Sequence, residues 1–236
     1  MKSFQTPTFN PQCIYQDDDL LIINKPSGLL SIPDGYDPSL PHLKYVLEPL
    51  FDGLWMVHRL DKGTSGIMIL ARNKEAHRIL SEYFRKREIE KYYHALITPS
   101  PGWGELHINL PLRTDADRKH RTRVDQTTGK HAETICMVKK SFQNSALIEI
   151  KILTGFTHQI RAHLRAYQHI IVGEQLYNAG LQSPHFPVKR LMLHSRRIGF
   201  SHPASGDWMD YTAPYPEDFR TAYTNLATST SQDARL

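Results

Sequence analysis

Sulfur is scarce in this chain. Of 236 residues only Cys13 and Cys136 are cysteine, far apart and without C-x-x-C spacing. That excludes a disulfide framework and a cysteine-based zinc site, and makes a reducing cytoplasm the default. Long apolar runs are missing too. No stretch is long enough to span a bilayer, and the first residues carry no apolar secretory core, so neither a membrane anchor nor export is expected. The 13 histidines are scattered; His158 and His163 stand five apart rather than at the i, i+4 spacing of a helical metal pair, so no metal is expected. There is no internal repeat.

What is present suits a single globular domain. The apolar fraction of 40% is ordinary, enough for a sizeable core, and a net charge of +5 permits a nucleic-acid partner without demanding one. Residues 1–16 are polar, contain Pro7 and Pro11, and are expected to be an N-terminal arm; residues 17–222 are expected to be the catalytic domain, and 223–236 a polar tail that frays. Asp19 to Asn24 reads as a buried strand ending in the turn Lys25-Pro26-Ser27-Gly28. Lys25 is there either as a solvated turn residue or as a contact to phosphate or to the site. Ser39 to Leu50 carries a helical apolar stripe. Asn73 is placed to cap a helix with Ala76, Ile79, Leu80, Tyr83 and Phe84 on its apolar face. Arg85, Lys86 and Arg87 close that helix, where the dipole favours cations, and need no RNA to explain them. Lys91 to Thr98, Ala132 to Val138 and Ser145 to Leu153 read as strands. Between Pro111 and His131 basic residues alternate with Asp115, Asp117 and Asp125 without apolar period. Such a long polar loop or hairpin is either functional or merely solvated.

One stretch organises the rest: Met56-Val57-His58-Arg59-Leu60-Asp61-Lys62-Gly63-Thr64-Ser65-Gly66-Ile67-Met68-Ile69-Leu70-Ala71. A polar half carrying one acid runs into an apolar half fit for a buried strand, with Gly63 and Gly66 framing the join. A carboxylate on a tight turn at the mouth of a strand is rigidly held, as catalysis requires. By itself Asp61 could equally cap a turn or pair with Arg59. The string from His58 to Gly66, however, resembles the H-R-L-D-x-x-T-S-G signature of the RluA-type pseudouridine synthases. Further matches follow: Asn24-Lys25-Pro26 with Gly28 resembles N-K-P-x-G, Lys91 and Tyr93 resemble K-x-Y, and Thr154 to Leu164 resembles T-G-R-T-H-Q-I-R-x-H-L with Phe156 in place of its first arginine. Val172 to Asn178 is similar to a G-D-x-x-Y-G turn with Glu174 and Asn178 substituted. The likeness runs from about Leu20 to about Phe219.

The resemblance implies an α+β fold: a single catalytic domain whose mixed, mostly antiparallel sheet is flanked by helices around a central cleft. It implies isomerisation of uridine to pseudouridine in structured RNA, ribosomal or transfer, with no cofactor. Asp61 would be the catalytic residue, Arg59 would enter the helix beside the flipped base, Tyr93 would contact the base, and Arg161 would pair with Asp61. The basic loop would lie over the RNA, with Arg118, Lys119, Arg121 and Arg123 on phosphates. A monomer acting without membrane or protein partner is expected. Two other readings compete: a non-catalytic RNA-binding protein, against which stand Asp61, Tyr93 and Arg161 together, and a glycosidic hydrolase, which would want two carboxylates where only Asp61 sits in a convincing motif.

Overall fold

In the computed structural model, which describes residues 9–35, 37–51, 53–178 and 188–232 with side chains to 228, the apolar run after the central turn is a strand buried on both faces. Thirteen strands are described: β1 (Gln12–Gln16), β2 (Leu20–Lys25), β3 (Trp55–Met56), β4 (Ser65–Ala71), β5 (Glu90–Thr98), β6 (Glu105–Asn109), β7 (Leu112–Arg113), β8 (Arg123–Val124), β9 (Glu133–Ser141), β10 (Ala146–Ile152), β11 (Ile170–Ile171), β12 (Leu193–Ser201) and β13 (Trp208–Thr212). The α-helices are α1 (Leu43–Leu47), α2 (Lys74–Lys86), α3 (Gln159–Ala166) and α4 (Glu217–Gln232). The main sheet runs β1-β2-β4-β12-β5-β10-β9-β6, with β3, β11 and β13 attached at its margins. Among the described strands only the β4–β12 pairing is parallel, so the sheet is mixed and mostly antiparallel, and the fold is α+β.

Successive side chains of a strand face opposite sides, and the two cores follow that period. Met68 and Leu70 of β4 join Leu21 and Ile23 of β2 in one core, which α1 covers with Leu43 and Leu47 and α4 with Phe219, Ala222 and Leu226. Ile67, Ile69 and Ala71 join Leu20 and Ile22 on the other face, beneath Ala76 and Leu80 of α2. The α2 helix starts where expected: the Asn73 side chain accepts from the Ala76 amide at 2.8 Å. Gly66 is required at its place. Its φ is +118°, and a β-carbon there would lie 2.2 Å from the Ser195 carbonyl oxygen, at the point where β4 and β12 meet.

Three expectations are corrected. The helix expected over Ser39–Leu50 shrinks to α1 and a 3-10 turn over Glu48–Leu50, because Pro49 has no N–H to continue the ladder; Leu50 is left 71% exposed. The arm is not loose throughout: Gln12–Gln16 pair antiparallel with β2, while residues 1–8 lie outside the described residues. The polar tail is helical well past residue 222. Phe219, Ala222 and Leu226 recur at helical spacing and are buried, with Thr221, Thr224 and Asn225 between them exposed on the outer face. Residues 233–236 of that tail lie outside the described residues.

Candidate active site

Asp61 sits on the turn that leads into β4, and the turn is braced from behind. The Thr64 amide donates to the Asp61 carbonyl at 3.0 Å, and the Gly28 amide to the Lys62 carbonyl at 2.7 Å. Ser27 donates to the Gly63 carbonyl at 2.9 Å, and Ser31 both donates to the Leu60 carbonyl at 2.8 Å and accepts from its amide at 3.0 Å. The Lys25–Leu29 turn is thus the back wall of the Asp61 loop. Lys25 itself is fully buried, its ammonium donating to the carbonyls of Pro26 and Leu29. Burial pulls its pKa down to about 7, against the pull of the nearby Asp61 charge. A solvated turn residue does not describe it, nor does an exposed phosphate contact; of the expected alternatives, nearness to the site is the one this geometry keeps.

The Asp61 loop opens on a cavity of about 380 Å³, within the roughly 300–1,000 Å³ typical of small-molecule sites. Arg59, Tyr93 and Arg161 all line it with Asp61, although they come from three separate parts of the chain: the β3–β4 loop, which carries both Arg59 and Asp61, β5 and α3. Among the described lining residues Asp61 is the sole carboxylate, facing Arg59, Arg85, Arg87, Lys91 and Arg161. Tyr93 is buried, and burial with the Asp61 charge pushes its hydroxyl well above the usual phenol range, so it stays protonated and can donate or accept. Lys91 makes no ion pair among the described residues; its ammonium lies 5.8 Å over the Phe84 ring. Burial and the Arg87 charge bring its pKa down to about 8. Phe156, where the resembled motif has arginine, lines the same cavity.

Arg161 is shared unequally. Its Nη1 lies 3.8 Å from Asp61 Oδ2, within ion-pair range but too long for a hydrogen bond. Its Nε and Nη2 grip Glu174 Oε2 and Oε1, each at 2.7 Å. The expected pairing with Asp61 is therefore the looser of two, and Glu174 is the close partner. Glu174 also accepts from the amides of Leu176 and Tyr177, at 2.7 and 3.2 Å. Burial alone would raise its pKa, but Arg161 and these amides outweigh that and hold it below the usual carboxylate value. His158, in left-handed backbone at φ 54°, brings Nε2 to 3.7 Å from the same Asp61 oxygen. Glu174 and His158 were visible in the sequence only as parts of motifs; their contacts with Arg161 and Asp61 required the fold.

Arg118, Lys119, Arg121 and Arg123 do not line this cavity. They sit on the hairpin joined by β7 and β8, which is more ordered than a solvated loop: Arg121 and Arg123 both reach Asp117 Oδ2 at 2.7 Å, and Arg113 lies 3.3 Å from Asp125. Its base packs Leu112 against Ala132, Ala162 and Tyr177. Arg121 and Arg123 line a second cleft, of about 300 Å³, with Arg165 and Tyr177. Asp17, Asp19 and His202 bring three ligand-type atoms within 4.8 Å, but Asp17 is engaged by Tyr15, His202 and two backbone amides, and none of the three lines the Asp61 cavity.

Comparison with known proteins agrees with the geometry. Residues 19–166 match the model of the RNA pseudouridylate synthase family. The dual-specificity RNA pseudouridine synthase RluA of Escherichia coli (strain K12) is 36% identical over 202 residues, covering 85% of this chain and 91% of that protein. The same-named protein of Haemophilus influenzae is 37% identical over 213 residues, with the same coverage. Human RNA Pseudouridylate Synthase Domain Containing 4 superposes with a TM-score of 0.76 at 25% identity, over 91% of this chain and 92% of that one.

Proposed function

We propose a site and a substrate class from one premise: this chain belongs to the RNA pseudouridylate synthase family. It is an RNA pseudouridine synthase, an isomerase that acts on uridine in RNA. Asp61 is the catalytic carboxylate in this reading, and the observation that carries it is that Asp61 is the sole acid among the described residues around a basic, nucleotide-sized cavity. The reaction breaks N1–C1′, turns the uracil and joins C5 to C1′. C5 gives up a proton and N1 gains one, so the product is an isomer and no cofactor or metal is called for. Tyr93 meets the base with its ring and protonated hydroxyl, Arg161 stands behind Asp61, and the exposed Arg59 fills the space the flipped uridine leaves. A lone carboxylate also speaks against glycosidic hydrolysis, which uses two.

The substrates we propose are ribosomal and transfer RNA, with the dual specificity in the relatives' names extended to this chain. The catalytic domain is the sheet with its helices, the hairpin at its side contacting RNA phosphates. We further propose that it works as a monomer in the cytoplasm without a protein partner, a setting in which its two free thiols stay reduced. Asp61→Asn tests the central assignment. On RNA tritiated at uridine C5, the variant should bind as the wild type does and release no tritium; activity within about tenfold of wild type, or release of free uracil by the wild type, overturns it.

A further inference from the structure

We infer that His158 and Tyr177 are positioning residues for Asp61, and that through them the basic hairpin is tied to the carboxylate. The inference rests on Asp61 being the catalytic group. The Thr122 amide, on the hairpin, donates to the Tyr177 hydroxyl oxygen at 2.8 Å. The Tyr177 oxygen lies 3.2 Å from Nδ1 of His158, and Nε2 of that ring lies 3.7 Å from Asp61 Oδ2. An amide can only donate, so the tyrosine oxygen accepts from Thr122 and its proton is free for Nδ1. A neutral imidazole that accepts at Nδ1 carries its proton on Nε2, the nitrogen facing Asp61. The two hydrogen-bonded links from Thr122 to His158 are thus consistent in direction, and the last step is an approach rather than a hydrogen bond: Nε2 faces Asp61 Oδ2 at 3.7 Å.

Two further features fit a positioning role. His158 and Arg161 face the same oxygen, Oδ2, at 3.7 and 3.8 Å, which leaves Oδ1 for the nucleoside. His158 is also held in left-handed backbone, a cost that non-glycine residues bear where surrounding structure over-determines them, often at functional sites. Thr122 adds a second tie, donating through its hydroxyl to the Thr157 carbonyl at 2.6 Å, one residue before His158. The charged and titratable groups acting on the ring are Asp61, Arg161, Glu174, Arg59 and Tyr177. Burial, the largest influence, keeps the ring's pKa below the ordinary imidazole value, so it is neutral at pH 7.

Tyr177→Phe removes the hydroxyl but keeps the ring that Arg161 lies over at 5.0 Å. Its single-turnover rate at saturating enzyme should fall by about 10- to 100-fold. The acid limb of its pH–rate profile should move to higher pH, because a hydrogen bond that favoured neutral His158 is gone. Imidazole ¹⁵N shifts of the free wild-type protein should show the proton on Nε2, and the variant a tautomer mixture. A wild-type His158 protonated on Nδ1 overturns the inference without any variant. So does a Tyr177→Phe enzyme with an unmoved acid limb and tautomer while Asp61→Asn is inactive. If Asp61→Asn remains active, the parent reading fails instead.

Discussion

Glu174 occupies a position that pattern-reading treats as a substitution in a turn, yet it holds the guanidinium next to Asp61. Its side chain is 1% exposed and that of Arg161 11%, so each charge depends on the other. Breaking a buried pair from one side strands a charge, while replacing both partners with apolar groups is often close to neutral. Glu174→Gln should therefore lower stability by about 3 kcal/mol and draw Arg161 onto Asp61, with loss of turnover. The double variant Glu174→Leu with Arg161→Met should regain most of the stability in urea titrations while staying inactive. A double variant as unstable as the single one would show that the pair is worth more than the volume it fills. The role of Arg161 could be proposed from its motif, but its partner could not. Glu174 lies thirteen residues further on, across β11 and a turn, and only their convergence decides which of two acids takes the bidentate contact.

The basic hairpin shows the same divide at the scale of an element. Charge composition marks the segment from Arg113 to Lys130 but does not say which charges are already satisfied. Arg121 and Arg123 share Asp117, whereas Arg118 and Lys119 are exposed and make no ion pair among the described residues. Of these four, Arg118 and Lys119 should carry most of the phosphate contact. Replacing Arg118 and Lys119 by Ala should flatten the slope of log K against log salt by roughly 1.5 units, at roughly 0.7–0.9 per contact. Replacing Arg121 and Arg123 should flatten it less, because both are already engaged by Asp117 and release fewer counterions on binding. Binding titrations across salt concentrations separate the pairs, and equal slopes for both would refute the division. Elements with strong periodicity were legible: β2, β4, β5, β10 and α2 all lie where their apolar spacing and the Asn73 cap put them. The short α1 and the inward-facing side of α4 were not, because Pro49 overrode a good stripe in one and Thr and Ser masked the apolar spacing in the other.

Across the whole molecule, burial of groups that carry charge in water fixes how stability depends on pH. His194 is fully buried between the Ser65 hydroxyl and the Ala213 carbonyl, and burial brings its pKa to about 4. His58 spends Nε2 accepting the Ile69 amide while its ring stacks on Phe84, and burial with the Lys91 charge brings it to about 3. Both folded values lie below the ordinary 6.5 of the unfolded chain. Between those limits the unfolded state binds more protons, so stability falls as pH falls through 6.5. At about 1.4 kcal/mol per unit for each ring, the two together remove about 4 kcal/mol by pH 5, a large share of a typical total of about 5–15 kcal/mol. The lysines add to the same trend on the other side. Lys25 titrates at about 7 and Lys91 at about 8 when folded, against 10.5 unfolded, so the unfolded chain again binds more protons and stability climbs as pH rises through that window. The stability maximum should accordingly lie on the alkaline side of neutral. Urea midpoints taken from pH 5 to 9 check this: a rise from pH 5 to 7 that continues to pH 9 is expected, and His194→Asn should blunt the acid part without touching the alkaline part. A maximum at pH 5 or 6 would mean that these side chains are far more hydrated than their contacts allow.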